Sequence, residues 1–135
     1  MTGWVVCGAV LVLASAFGLL RAHRDGRLRV KDGVERLTAA DLGGELGERA
    51  TLVQFSTAFC QPCRATRRVL AEVSGMVEGV AHVEIDAESR LDLVRRLDIL
   101  RTPTVLVLDA TGRVIRRAAG QPRRADVVAA LGEAV

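Results

Sequence analysis

The sequence predicts an α/β fold: a mixed β-sheet flanked by helices on both faces, preceded by one N-terminal transmembrane helix. Three observations carry that prediction. Short β-rich apolar runs alternate with segments of helical periodicity from residue 34 onward, the pattern of β and α units stacked into a covered sheet. The last two apolar runs are parted only by Asp109-Ala110-Thr111-Gly112, a turn sequence that makes a hairpin and therefore a mixed sheet. Residues 1–20 carry no charged side chain.

Gly3 to Leu20 reads GWVVCGAVLVLASAFGLL, without a charge. As a helix this stretch spans about 27 Å, close to the hydrocarbon thickness of a bilayer. A helix buried in a soluble core is interrupted by polar positions on one face, and this one is not. The competing reading is a cleaved signal peptide. Ala14-Ser15-Ala16 offers an A-x-A cleavage pattern, but the basic region that precedes the apolar stretch of such peptides is missing. Basic side chains follow it instead: Arg21, Arg24, Arg27, Arg29 and Lys31 against Asp25, five minus one, a net +4 over residues 21–31. Lys and Arg stay on the cytoplasmic side of a membrane. The expectation is a single-pass membrane protein with its domain in the cytoplasm, and the extracytoplasmic orientation is the alternative. The chain divides accordingly into a transmembrane anchor (1–20), a basic linker (21–33) and a globular domain (34–135).

Within the domain, Val34–Leu37 reads as a short strand. Thr38-Ala39-Ala40-Asp41 resembles a capping-box start, with a helix expected to Leu46 and a stop at Gly47. Thr51–Phe55 is a strand. Cys60 to about Val73 is a helix with Ala65, Val69, Leu70 and Val73 on one face, ended with the help of Gly75. Val80–Ile85 is a strand. Ser89 caps a helix through Leu97 with Leu91, Val94 and Leu97 inward. Thr104–Leu108 is nearly all apolar, as a strand buried on both faces is. Arg113–Ala118 alternates as a half-exposed strand, and Pro122 suits the first turn of a last helix with Val127, Val128 and Leu131 inward. The order is β α β α β α β β α.

Composition removes several function classes. Residues 32–135 hold 14 basic and 15 acidic side chains, a net −1, so the domain has no basic face for nucleic acid. Aromatics are limited to Trp4, Phe17, Phe55 and Phe59, so the core rests on Val, Leu, Ile and Ala. Three cysteines do not make a disulfide framework. Cys7 lies in the apolar helix as a small side chain, which leaves Cys60 and Cys63 as the pair.

A Cys-x-x-Cys at a strand-to-helix junction has three readings. A zinc site needs four ligands, and the two histidines, His23 in the linker and His82 in a strand, form no second pair. A structural staple closes a very short loop and stabilises little. A redox pair suits the placement: the unpaired N–H groups and dipole at a helix start favour the Cys60 thiolate, and Cys63, one turn further in, can reach its sulfur. Pro62 is tolerated in a first helical turn.

Phe59-Cys60-Gln61-Pro62-Cys63 after a strand, Arg101-Thr102-Pro103-Thr104 opening a buried strand, and Gly112 and Gly120 around the final hairpin together resemble the thioredoxin family over residues 34–135. The resemblance implies that Cys60 is the nucleophile, Cys63 the resolving thiol and Pro103 a cis-proline. It implies that Thr102 presents backbone groups to a substrate strand, and that Phe59, Gln61, Pro62, Thr102 and Pro103, with the Gly120 region, form a shallow substrate surface. The sequence departs from the family pattern at four places. Phe59 stands where the family has Trp, and Gln61-Pro62 where it has Gly-Pro. Gln54 aligns with a buried Asp that assists proton transfer, and His82 with a neighbouring Lys.

The expected function is thiol–disulfide exchange with protein substrates at a membrane, with no bound cofactor beyond the chain's own dithiol, no metal, no nucleic acid, and a separate reductase or oxidant to reset the pair. Two other classes compete: a non-catalytic docking module at the membrane, and a metal carrier through the cysteine pair.

Overall fold

A computed structural model describes residues 1–24 and 36–135 of the chain. The remainder of the expected linker, residues 25–33, and Val34 and Glu35 of the expected first strand lie outside the described residues.

Helix α1 runs from Thr2 to Arg24 and buries none of its residues. It is long and apolar enough to cross a membrane, and it extends past the expected end at Leu20 into the basic segment. Arg36 forms an isolated antiparallel bridge with Arg113. Leu37 is fully buried and its N–H donates to the Gly112 carbonyl at 2.9 Å. Gly112 has φ +86, and a Cβ there would meet Leu37 O at 2.1 Å, so the hairpin glycine permits both the turn and the close approach of this segment.

Thr38 caps α2 (Ala39–Leu42) with the expected capping box: its Oγ1 accepts from Asp41 N–H, and the Asp41 carboxylate accepts from Thr38 N–H. The helix is shorter than expected. It stops at Gly43, which takes the left-handed conformation with φ 69 that glycine adopts without steric cost; Leu46 lies beyond its end.

Strand β1 (Ala50–Ser56) is central and buried along its whole length. It pairs in parallel with β2 (Val80–Asp86) and antiparallel with β3 (Thr104–Asp109), which pairs antiparallel with β4 (Val114–Ala119). The spatial order is β2-β1-β3-β4. Alternation along the strands divides the core into two. Leu52, Val105 and Val107 face α3 (Gln61–Met76) and α5 (Arg124–Ala134), packing with Leu70, Val73, Val127 and Leu131. Val53, Phe55, Leu106 and Leu108 face the other way, onto Leu42 of α2, Leu93 of α4 (Leu91–Arg96) and Leu97 just past its end.

Four expectations about buried and exposed faces need correction. On α4 the buried residue is Leu93, followed by Leu97 just past its end, while Leu91 is exposed and Val94 half-buried. The Ser89 hydroxyl is engaged with the Asp86 carboxylate at 2.9 Å instead of capping, so the helix begins later and its inward stripe shifts. On α5, Pro122 lies before the N-cap Arg123, and the inward set is Val127, Ala130 and Leu131 with Val128 outside, the i, i+3, i+4 spacing of one face. Strand β4 does not alternate cleanly. A register shift opposite Val107 and Leu108 disturbs the pleat, and Ile115, Arg116 and Arg117 are all half-buried. The stripe of α3 likewise turns: Cys63, Thr66, Leu70 and Val73 are buried, with Ala65 and Val69 at its margin.

Candidate active site at the start of α3

β1 ends at Ser56, and the chain turns through Thr57, Ala58 and Phe59 into Cys60, the N-cap of α3. Cys60 has φ −95 and ψ 107, extended backbone that leaves its sulfur free to turn back over the first turn. Its Sγ accepts from Cys63 N–H at 3.2 Å, the place an N-cap oxygen takes in most helices. Cys60 and Cys63 are joined by a disulfide with Cα atoms 5.2 Å apart. Pro62 occupies the first turn, as expected, and the Thr66 hydroxyl donates to its carbonyl at 2.8 Å.

The two sulfurs differ in access. Cys60 is partly exposed, whereas Cys63 is only 1% exposed. Phe59 is 99% exposed, a large apolar side chain held in water next to the reactive bond. Gln61 and Pro62 are exposed beside it.

A second loop meets the first. The Thr102–Pro103 peptide bond is cis, as the family resemblance implied. Thr102 Oγ1 lies 3.2 Å from Thr57 Oγ1, which joins the Thr102-Pro103 loop to the turn that carries the cysteines. The far side of Pro103 is held by Gly120, whose N–H donates to the Pro103 carbonyl at 2.8 Å and whose φ of 100 suits glycine. Thr104 Oγ1 donates to the Arg101 carbonyl at 2.6 Å. The family resemblance grouped Phe59, Thr102 and the Gly120 region as a substrate surface and did not include Thr57. A threonine in a loop carries no spacing signal; only the packing of the two loops picks it out.

Behind Cys63 lies a hydrogen-bonded polar cluster. Gln54 is fully buried, and its Nε2 donates to the Cys63 carbonyl at 2.8 Å and to Ser56 Oγ at 2.9 Å. Its Oε1 lies 3.3 Å from His82 Nε2. Gln54 is thus a satisfied buried amide, and His82 is its partner. Burial pushes the His82 imidazole below its ordinary range; the nearby Glu84 carboxylate works against that and the Arg67 guanidinium adds to it. Arg67 and Glu84 are themselves paired through two hydrogen bonds of 2.5 and 2.8 Å. Among the described residues, no group of three or more His, Cys, Asp or Glu gathers as metal ligands.

The thioredoxin family model matches residues 34–133. The chain is 38% identical over 60 residues to thioredoxin domain-containing protein 2 of Homo sapiens, covering 44% of this chain and 11% of that protein. It is 31% identical over 97 residues to the chloroplastic thioredoxin Y of Oryza sativa subsp. japonica, covering 68% of this chain and 58% of that protein. It therefore spans from about a tenth to little more than half of the length of these curated relatives. Its fold is similar to that of the reduced thioredoxin pre-protein from Schistosoma mansoni, with a TM-score of 0.57 at 18% identity over 66% of this chain and 82% of that one. It is also similar to that of the thioredoxin NaTrxh from Nicotiana alata, with a TM-score of 0.57 at 22% identity over 64% and 74% of the two chains. With the fold, the cysteine pair and the family match over the same residues, the chain belongs to the thioredoxin family.

Proposed function

We propose that the chain is a membrane-anchored thiol–disulfide oxidoreductase that exchanges disulfides with protein substrates. The observation that carries this reading is the Cys60–Cys63 disulfide at the start of α3, with its outer sulfur accessible and its inner one buried. In the reducing direction, the Cys60 thiolate attacks one sulfur of a substrate disulfide, forming a mixed disulfide and releasing the other substrate sulfur as a thiolate that takes up a proton. Cys63 then attacks the Cys60 sulfur, the Cys60–substrate bond breaks, and the second substrate sulfur leaves as a thiol. Two electrons pass to the substrate and the chain ends as the disulfide. The helix start supports the first step, because its N–H groups and dipole favour negative charge on Cys60.

Phe59, Gln61, Pro62, Thr102 and Pro103 form the substrate surface in this reading. The Thr57–Thr102 contact, which holds the two loops side by side, supports it. The chemistry needs no cofactor beyond the dithiol, and a separate reductase or oxidant resets it. Residues 3–20 anchor the chain in the membrane, 21–33 link, and 34–135 work. The basic residues that follow the apolar stretch, from Arg21 onward, favour a cytoplasmic domain.

Insulin-disulfide reduction by the full chain in detergent tests the activity. Turnover that survives Cys60→Ser would remove Cys60 as nucleophile, and no turnover in the wild type would leave a docking module. A membrane-impermeant thiol label on intact cells tests the orientation: Cys60 protected in intact cells and labelled after permeabilisation is the expected result.

A further inference from the structure

We propose that Gln54 is the positioning residue of the resolving step, a non-titrating clamp on the Cys63 turn that leaves the cysteine itself as the only titrating group of that step. The inference rests on the thiol–disulfide reading above. A buried primary amide is costly unless both donors and its acceptor are engaged, and in Gln54 all three are. The Cys63 carbonyl can only accept, so Nε2 must face it and Oε1 must face His82. Oε1 also can only accept, so His82 Nε2 carries a proton. The imidazole is thereby fixed in one tautomer, with its titrating Nδ1 turned away from the amide.

This arrangement is indifferent to pH. Protonating His82 adds a proton at Nδ1 and leaves Nε2–H in place, so the bond to Gln54 is made in both states. The charged groups that act on His82 are Arg67 of α3 and Glu84 of β2, and they pair with each other; α3 also carries Arg64, Arg68 and Glu72, all exposed, and β2 ends in Asp86, exposed and engaged by the Ser89 hydroxyl and the Glu88 N–H. β1 has no titratable side chain, and Asp109 of β3 pairs with Ala50 at the opposite end of the sheet. Among the described residues, the side chains bonded to the backbone carbonyls of the Pro62–Cys63 turn are Gln54 and Thr66, and neither titrates. In the resolving step the Cys63 thiol gives up its proton, its sulfur bonds to Cys60, the Cys60–substrate S–S bond breaks, and the departing substrate sulfur takes the electron pair and one proton. The clamp supplies geometry: it ties the first turn of a surface helix to the central strand.

The test is single-turnover exchange between the reduced full chain in detergent and insulin, followed across the range in which thiols and imidazoles titrate. The wild-type resolving rate is expected to show one inflection. Gln54→Met keeps length and removes the amide; resolution should slow about tenfold from the loss of the bond to the Cys63 carbonyl, with the profile shape kept. That slowing should fall on resolution and not on mixed-disulfide formation read in a Cys63→Ser background. Gln54→Glu should add a second inflection. His82→Gln should keep the single inflection. Wild-type resolution in Gln54→Met, or an inflection present in the wild type and lost in His82→Gln, overturns the proposal; the latter would make His82 the acid–base group. If Gln54→Met does not fold, the wild-type and His82→Gln profiles decide alone. Failure of Cys63→Ser to form any mixed disulfide overturns the oxidoreductase reading itself.

Discussion

The outer and inner sides of the cysteine pair lie one helical turn apart and have opposite surroundings. On the outer side, Phe59 stands in solvent, and Gln61 and Pro62 are exposed with it. On the inner side, Cys63 and Gln54 are closed off, and every polar atom of the Gln54 amide is satisfied. The difference shows how a single disulfide can be offered to a partner and yet stay anchored to a core. The rim provides contact area that costs the fold nothing, and the interior provides the geometry that lets the second sulfur find the first.

The largest expected effect breaks the symmetry of the two thiols. Cys60→Ser should lower insulin reduction by about a thousandfold or more, because the hydroxyl is not ionised and cannot begin exchange. Cys63→Ser should also stop turnover but accumulate a mixed disulfide, visible by mass spectrometry of the intact chain. Identical behaviour of the two variants would end the distinction between outer and inner sulfur.

Next in size is the packing beneath the inner side. Leu70 of α3 is fully buried against the sheet, and Leu70→Ala should cost about 2–5 kcal/mol of stability in denaturant unfolding. A loss of less than 1 kcal/mol would mean that α3 is not tied to the core as described.

A smaller effect is set by pH. Folding depresses the His82 pKa, chiefly through burial, so the folded chain favours neutral imidazole. Above the unfolded value of about 6.5 neither state is protonated and the full stability is present. As pH falls through that value the unfolded chain takes the proton more readily, and stability declines until the folded imidazole also titrates. Unfolding midpoints measured on either side of this value should show a decline that is reduced in His82→Gln; an unchanged decline would place its source elsewhere.

The smallest effect belongs to the rim. Phe59→Ala should leave stability within about 0.5 kcal/mol, as surface changes do, and raise KM for insulin with little change in kcat, since it removes only substrate contact. A large loss of stability would show that Phe59 packs against the domain.

Much of this was legible in the residues. The strands β1, β2 and β3, the helix after Cys60 and the capping box at Thr38 follow from apolar runs and short-range signals. Errors gathered where a helix phase depends on where the helix begins. Ser89 reads as a cap until Asp86 takes its hydroxyl, and that engagement turns Leu91 out and Leu93 in. Val128 lies at the surface because the inward face of α5 is Val127, Ala130 and Leu131, the i, i+3, i+4 set to which it does not belong. At the site, the cysteine pair was recognisable by its spacing, but Thr57 was not; the family resemblance set Gln54 and His82 side by side, and only the structure shows the bonds from Gln54 to the Cys63 carbonyl and to His82.

The sequence by itself determined the alternation of elements, the apolar N-terminal helix and the placement of two thiols one turn apart at a helix start, because each depends on local periodicity and spacing. The tertiary structure alone decided that residue 102 reaches residue 57, and that the amide at position 54 joins a helix turn to an edge-strand imidazole. Those contacts link positions 45, 9 and 28 residues apart. Only the pairing of the strands and the docking of α3 on the sheet bring such distant groups within hydrogen-bond reach.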